Sequence, residues 1–224
     1  MTPNPDPRIP ITMRSKAQQE FVDYLKKRWE DLRASYAYMS HKLEEDKRQW
    51  LDLVDAGKRS KADANRALLH AEHVVSRTIR YVMLTAYCTF LEETAREFAG
   101  RAFPSDFEDR AQKKKGSQFI RYVKVLLDAG FDTKPIRDDL KNFNALITLR
   151  NCVVHAWGKL SRARNPTEVT QAIAVVESAG VYKDGFLYFG DVVLAEAIFA
   201  AENIGNAMID QLLPQQLKTS KKGQ

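Results

Sequence analysis

Apolar side chains return every seven residues along the first quarter of the chain. Val22, Trp29, Tyr36, Leu43 and Trp50 form one series, and Leu25, Leu32, Met39 and Leu53 form a second, three places on, broken only by Asp46. Nine apolar side chains at ten seam positions over five heptads predict one long helix packed along another helix. At 1.5 Å per residue, about 40 residues make a rod of ~60 Å. Large aromatics in that seam suit a dissimilar partner helix better than a tight self-paired coil. Ser15-Lys16-Ala17-Gln18 reads as a capping box at its start, and Asp55-Ala56-Gly57 as its end. Before it, Pro3, Pro5, Pro7 and Pro10 mark an extended, disordered leader.

Downstream the period stays helical. Ser60 and Asp63 offer a cap for a second helix, running to about Phe98 and ending near Gly100 and Pro104. Val74, Val75, Ile79, Val82, Met83, Ala86 and Phe90, with Tyr81, Leu84, Tyr87 and Leu91 on adjoining faces, make it apolar almost all round and therefore central to the core. A charged loop is expected over 103–116, then an amphipathic helix from Ser117 to about Ala129. Pro135 suits the first turn of another helix, running to about Ala156 and stopped near Gly158. Asn165-Pro166-Thr167-Glu168 combines an N-cap, an N1 proline and an N3 glutamate, predicting a helix to about Glu177. Only 181–189 reads as β, a hairpin around Asp184-Gly185. Asp191 then caps a last helix through about Leu213, ended by Pro214, with a mobile basic tail. The expected fold is all-α: an antiparallel helical bundle with a long N-terminal helical arm and one small β-hairpin. The expected organisation is a leader (1–13), the arm (14–57), a helical domain (58–213) and the tail (214–224).

Composition adds bounds. The 224 residues equal about one and a half typical domains of ~150, and 44% of them are apolar. No uncharged run approaches the ~20 residues that span a bilayer; the longest, Tyr81 to Leu91, has 11. The N-terminus shows no apolar segment of a secretory signal, and Cys88 with Cys152 make neither a disulfide framework nor a zinc site. These features predict a cytoplasmic chain with no membrane partner. The net charge of +6 is uneven. Residues 104–165 carry 13 basic and 7 acidic side chains, a net +6, whereas 166–224 carry 4 and 7, a net −3. A central basic block attracts phosphates if its charges share one cleft, and is otherwise a solvated helix surface.

Most familiar chemistries lack their residues. His70 and His73 flank Glu72 but do not form His-Glu-x-x-His, and no third ligand stands nearby. The adjacent pairs Glu92-Glu93 and Asp138-Asp139 do not converge as a two-metal site requires. No Gly-x-Ser-x-Gly elbow and no glycine-rich phosphate loop occurs. No metal or other cofactor is expected.

The segment from Leu146 to Gly158 is different. Its helix has an apolar stripe of Ile136, Leu140, Phe143, Ile147 and Val154, and Arg150 falls on that stripe. A buried arginine requires a partner. Asn151 and His155, four apart, share a face. Arg150 and His155, five apart, lie ~140° apart on an ideal helix. They can meet only across a cleft, over a bound anion, or in a distorted last turn. One reading pairs Arg150 with a core carboxylate such as Glu92 or Glu93 and leaves His155 as a helix end. The other places both in a functional site.

Arg-Asn-x-x-x-His near the end of a late helix in an all-α chain resembles the HEPN superfamily. That superfamily's motif is an arginine and a histidine four to six residues apart, often with a polar residue after the arginine. Thr89-Phe90-Leu91-Glu92-Glu93 is similar to the leucine-glutamate stretch of an earlier core helix in many members. The resemblance covers roughly 65–213. Chance alone yields about 0.3 Arg-x4-His matches in a chain of this composition, and ~0.01 when Asn must follow Arg.

The resemblance implies a metal-independent endoribonuclease in which the RNA 2′-OH attacks the adjacent phosphate, leaving a 2′,3′-cyclic phosphate and a 5′-OH. His155 would do acid–base work, a role suited to imidazole because it ordinarily titrates near neutral pH. Arg150 would hold phosphate oxygens, Asn151 would orient His155 or substrate, and Glu92 and Glu93 would support them. Lys113, Lys114, Lys115, Lys159, Arg162 and Arg164 would steer the RNA backbone. The resemblance further implies a homodimer with two motifs facing one cleft, and a role as a toxin or phage-defence ribonuclease with an antitoxin as protein partner. Non-catalytic members imply an alternative, a helical module that binds a partner protein, nucleotide or RNA.

Overall fold

The aromatic seam folds as a single helix, α1 (Ile11–Asp55), in this computed structural model, which describes residues 11–213 apart from the side chains of 11–15, 17 and 191. The proline leader up to Pro10, Pro214 and the tail lysines 218, 221 and 222 lie outside the described residues, as do the side chains of Ser15 and Asp191. The helix begins at Ile11, so Ser15 lies inside it instead of capping it. Its buried stripe starts at Phe21 and continues through Leu25 and Trp29, while Val22 is only half-buried and Leu53 is exposed. A helix of 3.6 residues per turn drifts against a strict seven-residue repeat, which moves the stripe off both ends of the series.

Helices α2 (Lys61–His70) and α3 (Arg77–Ala102), joined by a π-helical turn at Ala71–Ser76, run antiparallel to α1. The register is read from contacts: Phe21 meets Phe98 at 5.3 Å, Trp29 meets Phe90 at 4.6 Å, and Lys47 pairs with Glu72 at 2.6 Å. The partner of the seam is therefore a dissimilar helix, as the aromatics required. The first half of the expected separate arm belongs to the common core, because Trp29 also stacks on buried Tyr87. Ser60 caps α2 by accepting the Asp63 amide at 3.1 Å. Leu84, Tyr87, Cys88, Leu91 and Ala95 are fully buried, which makes α3 the central helix.

The expected loop at 103–116 contains a short helix, α4 (Phe107–Gln112). Local charge holds it: Arg110 bonds Asp106 at 2.7 Å and lies over the Phe103 ring, and Glu108 accepts from Arg96 at 2.8 Å. Helix α5 (Gln118–Asp128) starts at its Ser117 cap, and α6 (Arg137–Ala156) follows a 3-10 turn at Lys134–Ile136. Helix α7 (Pro166–Val175) starts at Asn165, whose side chain accepts the Glu168 amide at 3.3 Å. Strands β1 (Ala179–Val181) and β2 (Leu187–Phe189) pair antiparallel with Ala179 opposite Phe189. They start earlier than the sequence suggested, because the turn spans Tyr182–Phe186, closed by the Tyr182 amide donating to the Phe186 carbonyl at 2.8 Å. Helix α8 (Asp191–Leu212) has Gly190, not Asp191, at its N-cap. Among the described residues α8 alone is long and apolar enough to cross a membrane. Its Val193, Leu194, Ala197, Ala201, Ile204 and Met208 are buried in the bundle, which explains that composition.

The hairpin matters because it fixes the end of α6. Trp157 and Gly158 both adopt left-handed backbone angles, φ +55° and +73°, and turn the chain sharply out of the helix. The Leu187 amide donates to the Gly158 carbonyl at 2.7 Å, the Leu160 amide to the Gly185 carbonyl at 2.9 Å, and the Tyr81 hydroxyl to the Leu187 carbonyl at 2.8 Å. A Cβ at 158 would collide with that Tyr81 hydroxyl. Gly158→Ala is therefore expected to destabilise the protein by about 2 kcal/mol or more, combining left-handed strain with the collision. Urea unfolding measures it, and an unchanged midpoint would show that this junction carries no strain.

Candidate functional site

Helix α6 divides its chemistry between two sides. Phe143, Leu146, Ile147 and Leu149 are buried, and Ile136 joins them from the preceding turn. Val154, expected in the same stripe, is instead exposed. Arg150 faces α3, where its Nη2 donates to Glu92 Oε2 at 2.5 Å; the two side chains are 15% and 14% exposed. This is the core pairing that the sequence left open between Glu92 and Glu93. Glu93 is exposed and lines a different groove with Arg96 and Arg101. Arg150 Nε is buried and has no hydrogen-bond partner among the described residues.

The opposite face is polar. Asn144, Thr148, Asn151 and His155 follow one another at helical spacing, so they form a stripe along α6. At its lower end the Ser117 hydroxyl donates to Asn144 Oδ1 at 3.2 Å. At its upper end Thr148, Asn151 and His155 form one wall of a cleft of about 510 Å³. Arg164, Asn165 and Glu168, at the start of α7, line the other side. Asn151, His155 and Arg164 are exposed. The helix remains regular to Ala156, which excludes a distorted last turn as a way of bringing Arg150 to His155. Within one chain the two are not in the same cleft.

The basic block does not gather around His155. Arg164 lines the cleft, whereas Lys114 pairs with Asp128 at 2.7 Å and Lys159 lies over the Phe186 ring at 5.5 Å, a ring that Arg77 also covers at 4.7 Å. Lys113 and Lys115 are exposed beside Ser117, near the Asn144 end of the stripe, about 16 Å from His155 along the helix. Arg162 is exposed on the 3-10 turn Leu160–Arg162, outside the cleft lining. The sequence alone does not mark Thr148, Asn165 and Glu168 as cleft residues; the last two have the signature of capping groups only. The available signal was the helical spacing of Thr148 from Asn151 and His155.

Both cysteines are free and buried. Burial pushes the Cys88 thiol up to about 12, an effect that Glu92 reinforces and Arg150 opposes. Burial also raises the Cys152 thiol at the cleft floor, so neither is poised as a nucleophilic thiolate. Among the described residues no three His, Cys, Asp or Glu side chains gather to hold a metal ion; His73 packs edge-on against Tyr182 at 5.7 Å.

A separate, largely apolar groove of about 470 Å³ is lined by residues that include Tyr81, Val82, Val154 and Trp157. Trp157 is 77% exposed, Val82 55% and Val154 47%. Comparison of the chain with protein-family models, curated proteins and solved structures gives no significant match.

Arg150→Ala is expected to cost about 3–5 kcal/mol in urea unfolding, because it strands the Glu92 carboxylate inside the core. The Arg150→Ala/Glu92→Ala double variant should lose clearly less than the sum of the two single losses. Strict additivity would mean that the two groups are not coupled.

Proposed function

We propose that this chain is a metal-independent endoribonuclease of HEPN type, acting in the cytoplasm as a homodimer on RNA. The observation that carries the reading is the exposed Asn151–His155 pair on the wall of a cleft that also presents Arg164. In the proposed reaction the 2′-oxygen bonds to phosphorus and the bond from phosphorus to the 5′-oxygen breaks. An imidazole takes the 2′-OH proton, and a protonated imidazole or water supplies one to the leaving oxygen. Asn151, one turn from His155, orients the ring or the substrate. Arg150 is held by Glu92 and acts here as a positioning residue that locks α6 against α3. The toxin or defence role, with an antitoxin as partner, is part of the proposal on the strength of the resemblance.

The dimer is assigned to the surface around Trp157. An exposed tryptophan in a left-handed conformation, with two exposed valines beside it, has the character of an interface anchor. Trp157 and Val154 flank His155 in the chain, so a two-fold contact there sets two copies of the motif near one another.

A second reading is favoured by the Arg150–Glu92 pair, which occupies the motif's arginine: a non-catalytic HEPN-like module that binds RNA or a protein. RNA incubated with the protein and excess EDTA separates the two. Wild type is expected to cleave, and a folded His155→Ala variant to lose about 100-fold or more of the rate. Undiminished cleavage by that variant overturns the assignment, and salt-dependent RNA binding with no cleavage supports the binding module. In sedimentation, wild type should be a dimer and Trp157→Lys a monomer; a monomeric wild type removes the two-fold site.

A further inference from the structure

We propose that the cleft between α6 and α7 is a binding site for a phosphate group, and that Arg164, not Arg150, is the guanidinium that holds it beside His155. The inference rests on the ribonuclease reading only for the claim that the phosphate is the scissile one of RNA.

Two arginines compete for the role. Arg150 is held inside: its Nη2 bonds Glu92 with both side chains largely buried, and releasing it would leave an uncompensated carboxylate next to Cys88. Arg164 makes no ion pair among the described residues, although Glu168 lines the same cleft. Its backbone is anchored on both sides. The Ala163 amide donates to the Leu160 carbonyl at 3.1 Å, and Asn165 is fixed as the cap of α7. A planar guanidinium on a fixed segment is suited to bidentate recognition of phosphate oxygens.

The other walls agree with an oxyanion. Asn151 supplies an amide donor and His155 an imidazole, whereas the Thr148 hydroxyl already donates to the Asn144 carbonyl at 3.2 Å. The start of α7 adds little by itself. Pro166 has no N–H, and the Glu168 amide is already taken by Asn165. Side chains therefore decide the binding, which makes it testable by substitution. Glu168 is the one acidic group in the lining, and its charge opposes an anion there. This opposition yields a second, oppositely signed consequence.

The test titrates the full-length protein with inorganic phosphate at constant ionic strength, following the ring-proton resonances of His155. Wild type is expected to give a saturable shift. Arg164→Gln should weaken the apparent affinity by about tenfold or more, the loss expected of a charge-assisted contact. Glu168→Gln should tighten it, and Arg137→Gln, which removes an exposed positive charge at the far end of α6, should leave it unchanged. Absence of a saturable shift, or equal effects of Arg164→Gln and Arg137→Gln, would overturn the proposal. The two readings fail separately. Phosphate binding through Arg164 without RNA cleavage would keep this site and remove the ribonuclease. Cleavage through His155 at unchanged kcat and KM in Arg164→Gln would do the reverse.

Discussion

Five residues on an α-helix turn the side chain through ~140°, and the regular geometry of α6 holds Arg150 and His155 to that rule. Everything distinctive about the molecule follows from which of the two points inward. Arg150 does, and a cation on the core side must find a carboxylate; Glu92 on α3 supplies it. His155 then faces outward with Asn151, onto the cleft that α7 closes. The ion pair clamps the two central helices together, so the same helix carries a structural charge on one side and the exposed Asn151 and His155 on the other.

A cleft is useful only if its walls stay in place. The end of α6 is tied by Gly158 to β2, and β2 to Tyr81 on α3. The opposite wall begins at an Asn165 cap only a few residues further on. The hairpin is therefore a brace between the central helix and the segment that carries Arg164. It ties the end of α6, which carries His155, to the segment that leads to Arg164, the kind of support that the proposed phosphate site would need.

Local signals made much of the fold legible. Ser60, Ser117 and Asn165 stand at helix starts, because a capping side chain and its target amide are three residues apart in the chain itself. The aromatic seam announced α1 and a dissimilar partner. What the sequence did not disclose depends on distant contacts or on accumulated local ones. Phe21 enters the core because the buried stripe drifts against the heptad, and α4 forms where Asp106, Arg110 and Glu108 find partners in a stretch that reads as a charged loop. The basic block looked like one surface because net charge along a chain ignores pairing. Asp128 neutralises Lys114, Phe186 takes Lys159, and Glu92 takes Arg150, leaving Arg164 at the cleft. Glu168 looked like a capping residue; only the fold shows that its side chain also faces His155's cleft.

In the proposed reaction the RNA's own 2′-oxygen would be the nucleophile, with this chain supplying acid–base and phosphate contacts. The most direct measurement uses one RNA that the protein cuts, made a second time with a single 2′-deoxy nucleotide at the cut position. Mass spectrometry of the products reads the outcome. The expected products are a 2′,3′-cyclic phosphate and a 5′-OH from the all-ribose strand, with no cut at the deoxy position. Cleavage of the deoxy strand at that position, or a 3′-OH with a 5′-phosphate from either strand, would contradict it.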